Sequence, residues 1–209
     1  MSFNDSYIMS SGIILSRKIF GDKTYQMTLF LKQYGIVSVS SPSKSNLGNK
    51  EPMIWAKFKL RKKSRSWNYY IEDTDMIDDM LSLRKSRERI MTALKWCRYV
   101  ETYLEPSRPD DELLANLYWN MKLLAETSIP PDALSWRFIC RWLNTWGLAP
   151  DIESFLSSKN FSNDEITLLN FTAHSDSKML IEFFSSHSNI TGMFFRTAFD
   201  LSLKLLNEK

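Results

Sequence analysis

The 209-residue chain has little of several residue types that carry chemistry or cross-links. Its two cysteines, Cys97 and Cys140, lie far apart in segments of helical periodicity, which predicts neither a disulfide framework nor a metal site. Two histidines leave few groups that exchange protons near neutral pH. No segment approaches the roughly 20 apolar residues of a membrane helix, and no signal-like segment opens the sequence. We expect a soluble, cytoplasmic protein with buried cysteines and neither metal nor cofactor.

The motifs of common enzyme classes are missing as well. The sequence contains no P-loop, no Gly-x-Ser-x-Gly, no His-Glu-x-x-His and no glycine-rich dinucleotide fingerprint. One acidic cluster has ligand types that suit a divalent metal for phosphodiester cleavage: Glu72, Asp73, Asp75, Asp78 and Asp79. The run from Asp73 to Asp79 suits a helix N-terminus better, because the helix dipole favours negative charge there, and we adopt this interpretation. The sequence thus predicts a protein that is not an enzyme.

Charge is distributed unevenly along the chain. Residues 1–72 contain twelve Lys or Arg and four Asp or Glu, a balance of +8, whereas residues 73–209 contain fifteen and twenty, a balance of −5. Such asymmetry indicates that the basic part meets an anion such as nucleic acid. We predict two domains, residues 1–72 and residues 73–209.

Secondary-structure signals change at the same place. Five runs of β-branched and aromatic residues, separated by Gly-, Ser- and Asn-containing turns, predict five strands before residue 72. Helical spacing follows, with Pro131 near the start of one helix, Gly147 at its end, and a capping box formed by Ser162 and Glu165 at the start of another. The predicted fold class is α+β: an N-terminal oligonucleotide/oligosaccharide-binding (OB) β-barrel followed by an all-α helical domain.

The densest positive charge lies in "KFKLRKKSRS", residues 57–66. Strand alternation places Lys57, Lys59 and Arg61 on one face, and Phe58 and Leu60 on the other. We predict that the basic residues of this segment and its surroundings contact nucleic-acid phosphates. The predicted DNA-binding residues are Lys57, Lys59, Arg61, Lys62, Lys63, Arg65, Lys18, Lys23, Lys44 and Lys50. The alternative is a charged edge strand that discourages aggregation and keeps its aromatics in the core.

Aromatic residues follow the basic run directly. Trp67, Tyr69 and Ile71 are predicted to share one face of the next strand, and Asn68 and Tyr70 the opposite face. Bases that stack on such rings contribute roughly 1 to 3 kcal/mol each. A basic strand beside stacking aromatics is typical of single-stranded nucleic-acid binding.

Motifs across most of the chain resemble RecO, the bacterial recombination mediator, in a variant without its zinc-binding cysteines. The opening "GIILSRKIFGDKTYQMTLFLKQYG" is similar to the first two strands of that family, and "EPMIWAKFKL" to the next strand after its Glu/Gln-Pro. "LSWRFICRWLNTWGLAPDI" resembles the family's Arg-Phe-Glu helix and the turn that follows it. The matching positions are Gly12, Gly21, Asp22, Gly35, Glu51, Pro52, Arg137, Phe138, Gly147 and Pro150.

The resemblance implies a non-enzymatic, nucleoid-associated protein that binds single- and double-stranded DNA and anneals complementary strands. It implies contact with the acidic C-terminal tail of the single-stranded-DNA-binding protein SSB, and cooperation with RecR in loading recombinase. The sequence departs from the family in two segments. Only Lys44 and Lys50 remain where the family has a basic segment after the third strand, and no cysteine follows Pro150, so we expect no zinc site.

Arg137 and Arg141 lie one helical turn apart, where like charges repel by a few tenths of a kcal/mol. A shared anionic partner would relieve that repulsion, and Arg137 matches the family position, so both are predicted to bind the SSB tail. The alternative is a solvated helix face whose arginines pair with Asp or Glu of neighbouring helices. Two other functions also remain open for the whole chain: a protein-interaction adaptor with a degenerate OB domain, and an RNA-binding OB-fold protein.

Overall fold

A computed structural model describes residues 7–20, 24–42, 51–62, 69–148, 152–187, 190 and 193–207. Five strands come first, as the sequence predicts: β1 (Tyr7–Phe20), β2 (Thr24–Leu31), β3 (Gly35–Pro42), β4 (Trp55–Lys62) and β5 (Tyr69–Asp78). Helical structure follows, so the α+β class is confirmed.

The strands close on one another in the order β1-β2-β3-β5-β4. All pairs are antiparallel except β3 with β5. The long strand β1 closes the circuit because its first half pairs with β4 and its second half with β2. Strand β4 therefore has a partner on both sides, β1 and β5. The alternative that β4 is a protective edge strand is wrong.

Alternating apolar side chains fill the inside of this barrel. The buried cluster consists of Ile14, Met27, Leu29, Leu31, Val37, Val39, Ile54, Ala56, Phe58, Leu60 and Ile71. Gly12 lies where β1 meets both of its partner strands, opposite Leu31 and Ala56. A Cβ at that position would lie 2.2 Å from the carbonyl oxygen of Phe30, so the close approach requires glycine.

A short 3-10 helix, Leu81–Lys85, leads into seven α-helices among the described residues. They are α1 (Arg87–Tyr103), α2 (Asp111–Glu126), α3 (Pro131–Thr145), α4 (Ile152–Ser157), α5 (Asn163–His174), α6 (Ser177–Ser186) and α7 (Met193–Asn207). Pro131 opens α3, Gly147 follows it at a φ of 66°, and the capping box of Ser162 and Glu165 starts α5, all as predicted.

The acidic run from Asp73 to Asp79 does not start a helix, and that prediction is wrong. Its residues up to Asp78 belong to β5, and the carboxylates of Asp78 and Asp79 accept hydrogen bonds from the backbone N–H groups of Met80 and Leu81. The acids satisfied a local rule for helix starts, but pairing with β4 decided the structure.

The chain forms two compact units, residues 1–81 with 93–114, and residues 82–92 with 115–209. The first holds the barrel together with the second half of α1. In the second, α3 packs against α5 and α7, with Trp136 and Trp142 almost fully buried. The predicted division at residue 72 stays a prediction, although β5 itself runs six residues beyond it.

Both cysteines are free and buried, as predicted. Burial, with a smaller effect of the Glu101 charge, raises the pKa of Cys97 to about 12, and burial raises the pKa of Cys140 well above its ordinary value. Both thiols are therefore protonated at neutral pH and unreactive. In the described part of the chain, no helix combines the length and apolarity needed to span a bilayer.

Candidate nucleic-acid interface

The basic face of β4 forms as the alternation predicts. Lys57, Lys59 and Arg61 are exposed, whereas Phe58 and Leu60 between them are 1% and 0% exposed. Apolar side chains at every second position fill the barrel, so the charged positions must point outward. Lys62 ends the strand and is exposed as well.

Strand β5 places carboxylates beside these cations, a pairing that the local sequence pattern does not indicate. Lys57 lies opposite Asp75, and Lys59 lies opposite Asp73. Strand β4 carries four Lys or Arg, and β5 carries four Asp or Glu. Opposite charges across neighbouring strands stabilise a sheet by roughly 0.2 to 1 kcal/mol per pair. The same arrangement reduces the positive potential that this face presents to a phosphate.

Glu72 makes the closest of these contacts. The strand register shifts between Lys59 and Leu60, which leaves Glu72 as an extra residue in β5. Its carboxylate lies 3.7 Å from Nζ of Lys59 and 3.2 Å from Nε of Arg61. One bulge residue thus pairs with two of the predicted phosphate contacts.

The aromatic residues of this region are only partly placed as predicted. Tyr69 packs against the barrel core and Ile71 is 5% exposed, so that face of β5 points inward. Trp67 and Asn68 lie outside the described residues. An exposed aromatic comes instead from β1, where Tyr7 is 46% exposed and Nζ of Lys59 lies 4.9 Å from its ring centroid. Its position opposite Arg61 depends on barrel closure, which the sequence does not reveal.

Other predicted DNA-binding residues are scattered or lie outside the described ranges. Lys18 is exposed on β1, opposite Gln26 of β2. Its neighbour Arg17 pairs with Glu51 at 2.8 Å. The predicted residues that the structure does not describe are Lys23, Lys44, Lys50, Lys63 and Arg65.

Helix α1 is anchored on β1 and β2 by a carboxylate. Oε1 of Glu101 accepts hydrogen bonds from the hydroxyl of Ser16 at 2.9 Å and from the hydroxyl of Thr28 at 2.7 Å. Both strand residues point outward from the barrel. The acid of α1 is therefore directed at the barrel wall.

The two arginines of α3 are bound by backbone carbonyls of the α5 terminus. Arg137 is 2% exposed, its Nη1 donates to the carbonyl oxygen of Ser175, and it lies 3.5 Å from that of Thr172. Nη2 of half-buried Arg141 donates to the same Ser175 carbonyl at 3.2 Å. The end of a helix carries unpaired carbonyls and partial negative charge, so both guanidinium groups stabilise it.

Burial has an electrostatic cost at Arg137. Loss of water, followed by the charge of Arg141, lowers the pKa of Arg137 to about 10, while Asp176 acts in the opposite direction. Burial also lowers the pKa of Arg141. Both stay protonated at neutral pH. Their hydrogen-bond partners are backbone carbonyls and not the acids of neighbouring helices that the alternative predicted. Their predicted contact with an SSB tail stays a prediction.

A shallow groove lies along the exposed side of α5. Its lining residues are Ile166, Thr167, Asn170, Phe171 and His174. The aromatic ring of Phe171 also packs against Phe183 of α6, with ring centroids 4.9 Å apart. The groove combines apolar surface with an amide and an imidazole, a composition suited to a peptide side chain.

No group of three or more potential metal ligands occurs in the part of the chain that the structure describes. The acids once considered as metal ligands are distributed along β5 and its end instead. No protein-family model matches this chain, and no curated protein matches it. The resemblance to RecO therefore stays a prediction drawn from the sequence motifs.

Proposed function

We propose that this protein is a RecO-like recombination mediator that binds and anneals single-stranded DNA through an OB-type barrel. The observation that carries the proposal is the closed five-stranded barrel, in the order β1-β2-β3-β5-β4, followed by helices. Five-stranded Greek-key barrels of this kind bind oligonucleotides with a strand face and with the loop between their last two strands.

Within this proposal, the main phosphate contacts lie at the end of β4 and in the segment that follows it. The positive charges in the middle of β4 are compensated by the carboxylates of Glu72, Asp73 and Asp75 of β5. Towards residues 62–65 the sequence adds Lys62, Lys63 and Arg65 without an intervening acid. Phosphate contacts of such a cluster release counterions from DNA, so within this proposal these residues supply most of the affinity.

The helical part would receive the SSB tail. Arg141 is only half-buried, so its guanidinium remains the more accessible of the α3 pair. The groove on α5 ends at His174, next to the Ser175 carbonyl that Arg141 binds. A peptide with acidic residues and a terminal aromatic ring matches a cation near an apolar groove. Displacement of SSB would then expose DNA for annealing and for recombinase loading with RecR.

One observation favours a second candidate function, the protein-interaction adaptor. Three cations of β4, Lys57, Lys59 and Arg61, lie beside acids of β5, which reduces the net positive charge of this part of the barrel surface. A barrel that has lost most of its DNA affinity would act through its helical part alone. Binding of the SSB tail peptide without any DNA binding is the signature of this adaptor.

Fluorescence anisotropy of a labelled single-stranded DNA, titrated with the protein at several salt concentrations, tests the proposal. We compare the wild type with two triple variants, Lys57, Lys59 and Arg61→Ala and Lys62, Lys63 and Arg65→Ala. Wild-type affinity should fall steeply with salt, and the second variant should lower it about tenfold or more. The first variant should have a smaller effect because its cations are already paired.

Wild-type protein that binds no DNA even at low salt would overturn the proposal and favour the adaptor. Tighter binding to RNA of the same sequence would favour an RNA-binding OB protein instead. Annealing is measured separately, as the rate at which two complementary labelled strands pair with SSB present.

A further inference from the structure

Helix α1 carries a row of exposed cations outside the barrel. Arg87, Lys95 and Arg98 are exposed, and their spacing of eight and three residues places them on one side of the helix. At 1.5 Å per residue they span about 16 Å along the helix axis. We name these three residues the α1 stripe. All of them lie on one continuous helix, so its geometry alone sets their spacing.

The stripe lies in the most basic segment of the acidic half of the chain. Residues 84–98 contain six Lys or Arg and one acid, Glu88. The cations are Arg84, Lys85, Arg87, Arg89, Lys95 and Arg98. Arg89 has a structural role, since its guanidinium donates to the carbonyl oxygens of Leu124 and Ile129 near the end of α2. The rest are exposed.

Several cations on other helices have a carboxylate partner, unlike those of the stripe. Lys122 pairs with Glu126, Lys178 with Glu182, and Arg196 with Asp132. Within the described ranges, Arg87, Lys95 and Arg98 form no ion pair and no side-chain hydrogen bond.

Two acids of α1 lie near the stripe. Glu88 follows Arg87 directly, but no ion pair joins it to the stripe in the described part of the chain. Glu101 follows Arg98 by three residues, but its carboxylate accepts hydrogen bonds from Ser16 and Thr28 of the barrel. Lys95 and Arg98 also lie three residues apart, where like charges repel by a few tenths of a kcal/mol. A protein that keeps such a row has surface charge available to an external anion.

We propose that the α1 stripe binds the phosphate backbone of single-stranded nucleic acid, as a second contact besides the barrel. This inference rests on the proposed function, because it names the same class of ligand. A single strand stacked as in a B-form duplex has one phosphate per about 3.4 Å of axis and so offers about five phosphates along 16 Å, enough for one to reach each cation. A row of cations along a helix is the electrostatic footprint of backbone binding.

An anionic membrane fits this surface less well. Helices that lie on membranes bury a broad apolar face beside their cations. Between Arg87 and Lys95 the exposed apolar side chain is Met91, and Thr102 continues the row beyond Arg98. The apolar side of α1, with Trp96, Cys97 and Val100, is already buried in the protein.

The test is anisotropy binding of a labelled single-stranded oligonucleotide to the full chain at several salt concentrations. The stripe variant is Arg87, Lys95 and Arg98→Ala, and the matched control is Lys122, Lys178 and Arg196→Ala, which removes the same charge from paired positions. The stripe variant should lose about tenfold in affinity, and its salt slope should fall by about 2, near 0.7 for each of three phosphates. The control should match the wild type.

A second variant separates charge from folding. Arg87 and Arg98→Lys keeps all three charges and should bind within about threefold of the wild type, with an unchanged salt slope. Far-UV circular dichroism of every variant checks the helix content. A stripe variant that is folded and binds like the control would overturn the inference while leaving the proposed function intact.

Failure of the proposed function looks different. Wild-type protein without nucleic-acid binding at any salt would overturn both proposals together. Sedimentation with vesicles that contain anionic lipid, lost in the stripe variant, would then assign the stripe to a membrane surface and also overturn the inference. Loss of an acidic peptide's binding in that variant would assign the stripe to a protein partner.

Discussion

Strand β4 and helix α1 both expose rows of positive charge, and they differ in what surrounds each charge. On β4, Glu72 lies within 4 Å of both Lys59 and Arg61, and further acids lie opposite on β5. On α1, Glu88 and Glu101 form no ion pair with the stripe among the described residues, and Glu101 binds hydroxyl groups of the barrel. The denser row in the sequence is therefore the better compensated one in the structure.

The difference has a geometrical origin. A strand has neighbours on both sides that come from distant parts of the sequence, so its charges are paired or left unpaired by the tertiary fold. Surface charges of a helix meet mainly residues three and four positions away, which the sequence itself shows. Charge counts along a sequence thus estimate the potential of a helix face better than that of a strand.

The largest effect on stability is expected at Arg137, a cation that is buried in the protein. Arg137→Ala leaves the carbonyls of Ser175 and Thr172 without their buried donor, so the free energy of unfolding should fall by about 2–4 kcal/mol. Urea denaturation followed by circular dichroism measures it. Half-buried Arg141→Ala is the comparison and should cost about 1 kcal/mol or less. Equal losses of unfolding free energy in the two variants would mean that the difference in burial between Arg137 and Arg141 does not determine how much each stabilises the protein.

The next largest effect concerns the acid that α1 directs away from its stripe. Glu101→Ala removes the acceptor of two hydroxyl groups, Ser16 and Thr28, and should lower the free energy of unfolding by about 1–2 kcal/mol. Its exposed neighbour supplies the control, since Thr102→Ala should change stability by less than about 0.5 kcal/mol. An unchanged urea midpoint for Glu101→Ala would show that the helix is held on the barrel by apolar packing alone.

A single substitution should place a carboxylate beside the cations of α1, as Glu72 lies beside those of β4. Met91 lies four residues after Arg87 and four before Lys95, so Met91→Glu places a carboxylate within reach of both. We expect oligonucleotide affinity to fall about fivefold and the salt slope to fall by about 1. Met91→Gln changes the same side chain without charge and should bind as the wild type does. Equal effects of the two substitutions would show that the negative charge of the new carboxylate is not what lowers the affinity.

The opposite change should make β4 more like α1. Glu72→Gln keeps the shape of the side chain but removes the charge that pairs with Lys59 and Arg61. Affinity for single-stranded DNA should rise about twofold to threefold at low salt, measured by anisotropy. Asp200→Asn on α7 removes one exposed acid elsewhere and serves as the control. A rise of the same size in the control would reflect net charge alone.

Much of the fold could be predicted from the sequence because its signals are local. Alternation identified the strands, Pro131 and Gly147 framed α3, and Ser162 with Glu165 marked the start of α5. The acidic run at the end of β5 was misassigned because its partners, Lys57 and Lys59, lie some 16 residues earlier. A rule for helix starts depends only on neighbouring residues, so it cannot account for partners on another strand.

The candidate interface was predicted less completely, for a related reason. Alternation gave the outward direction of Lys57, Lys59 and Arg61, but not the opposing acids or the bulge at Glu72. Exposed Tyr7 became visible only when β1 closed the barrel against β4. The cations of the α1 stripe could be read from the sequence. They were overlooked because the net charge was counted over all residues after 72, and that sum is negative.

Closure of the barrel through β1 also affects the order of events during synthesis. The second half of β1 can pair with β2 soon after both are synthesised. The first half must wait for β4, which ends at residue 62. At about 5–20 residues per second, the roughly 50 residues between them take about 3–10 s to emerge. During that interval the first half of β1 has unpaired backbone groups, so its segment "YIMSSG" is open to chaperones and to aggregation.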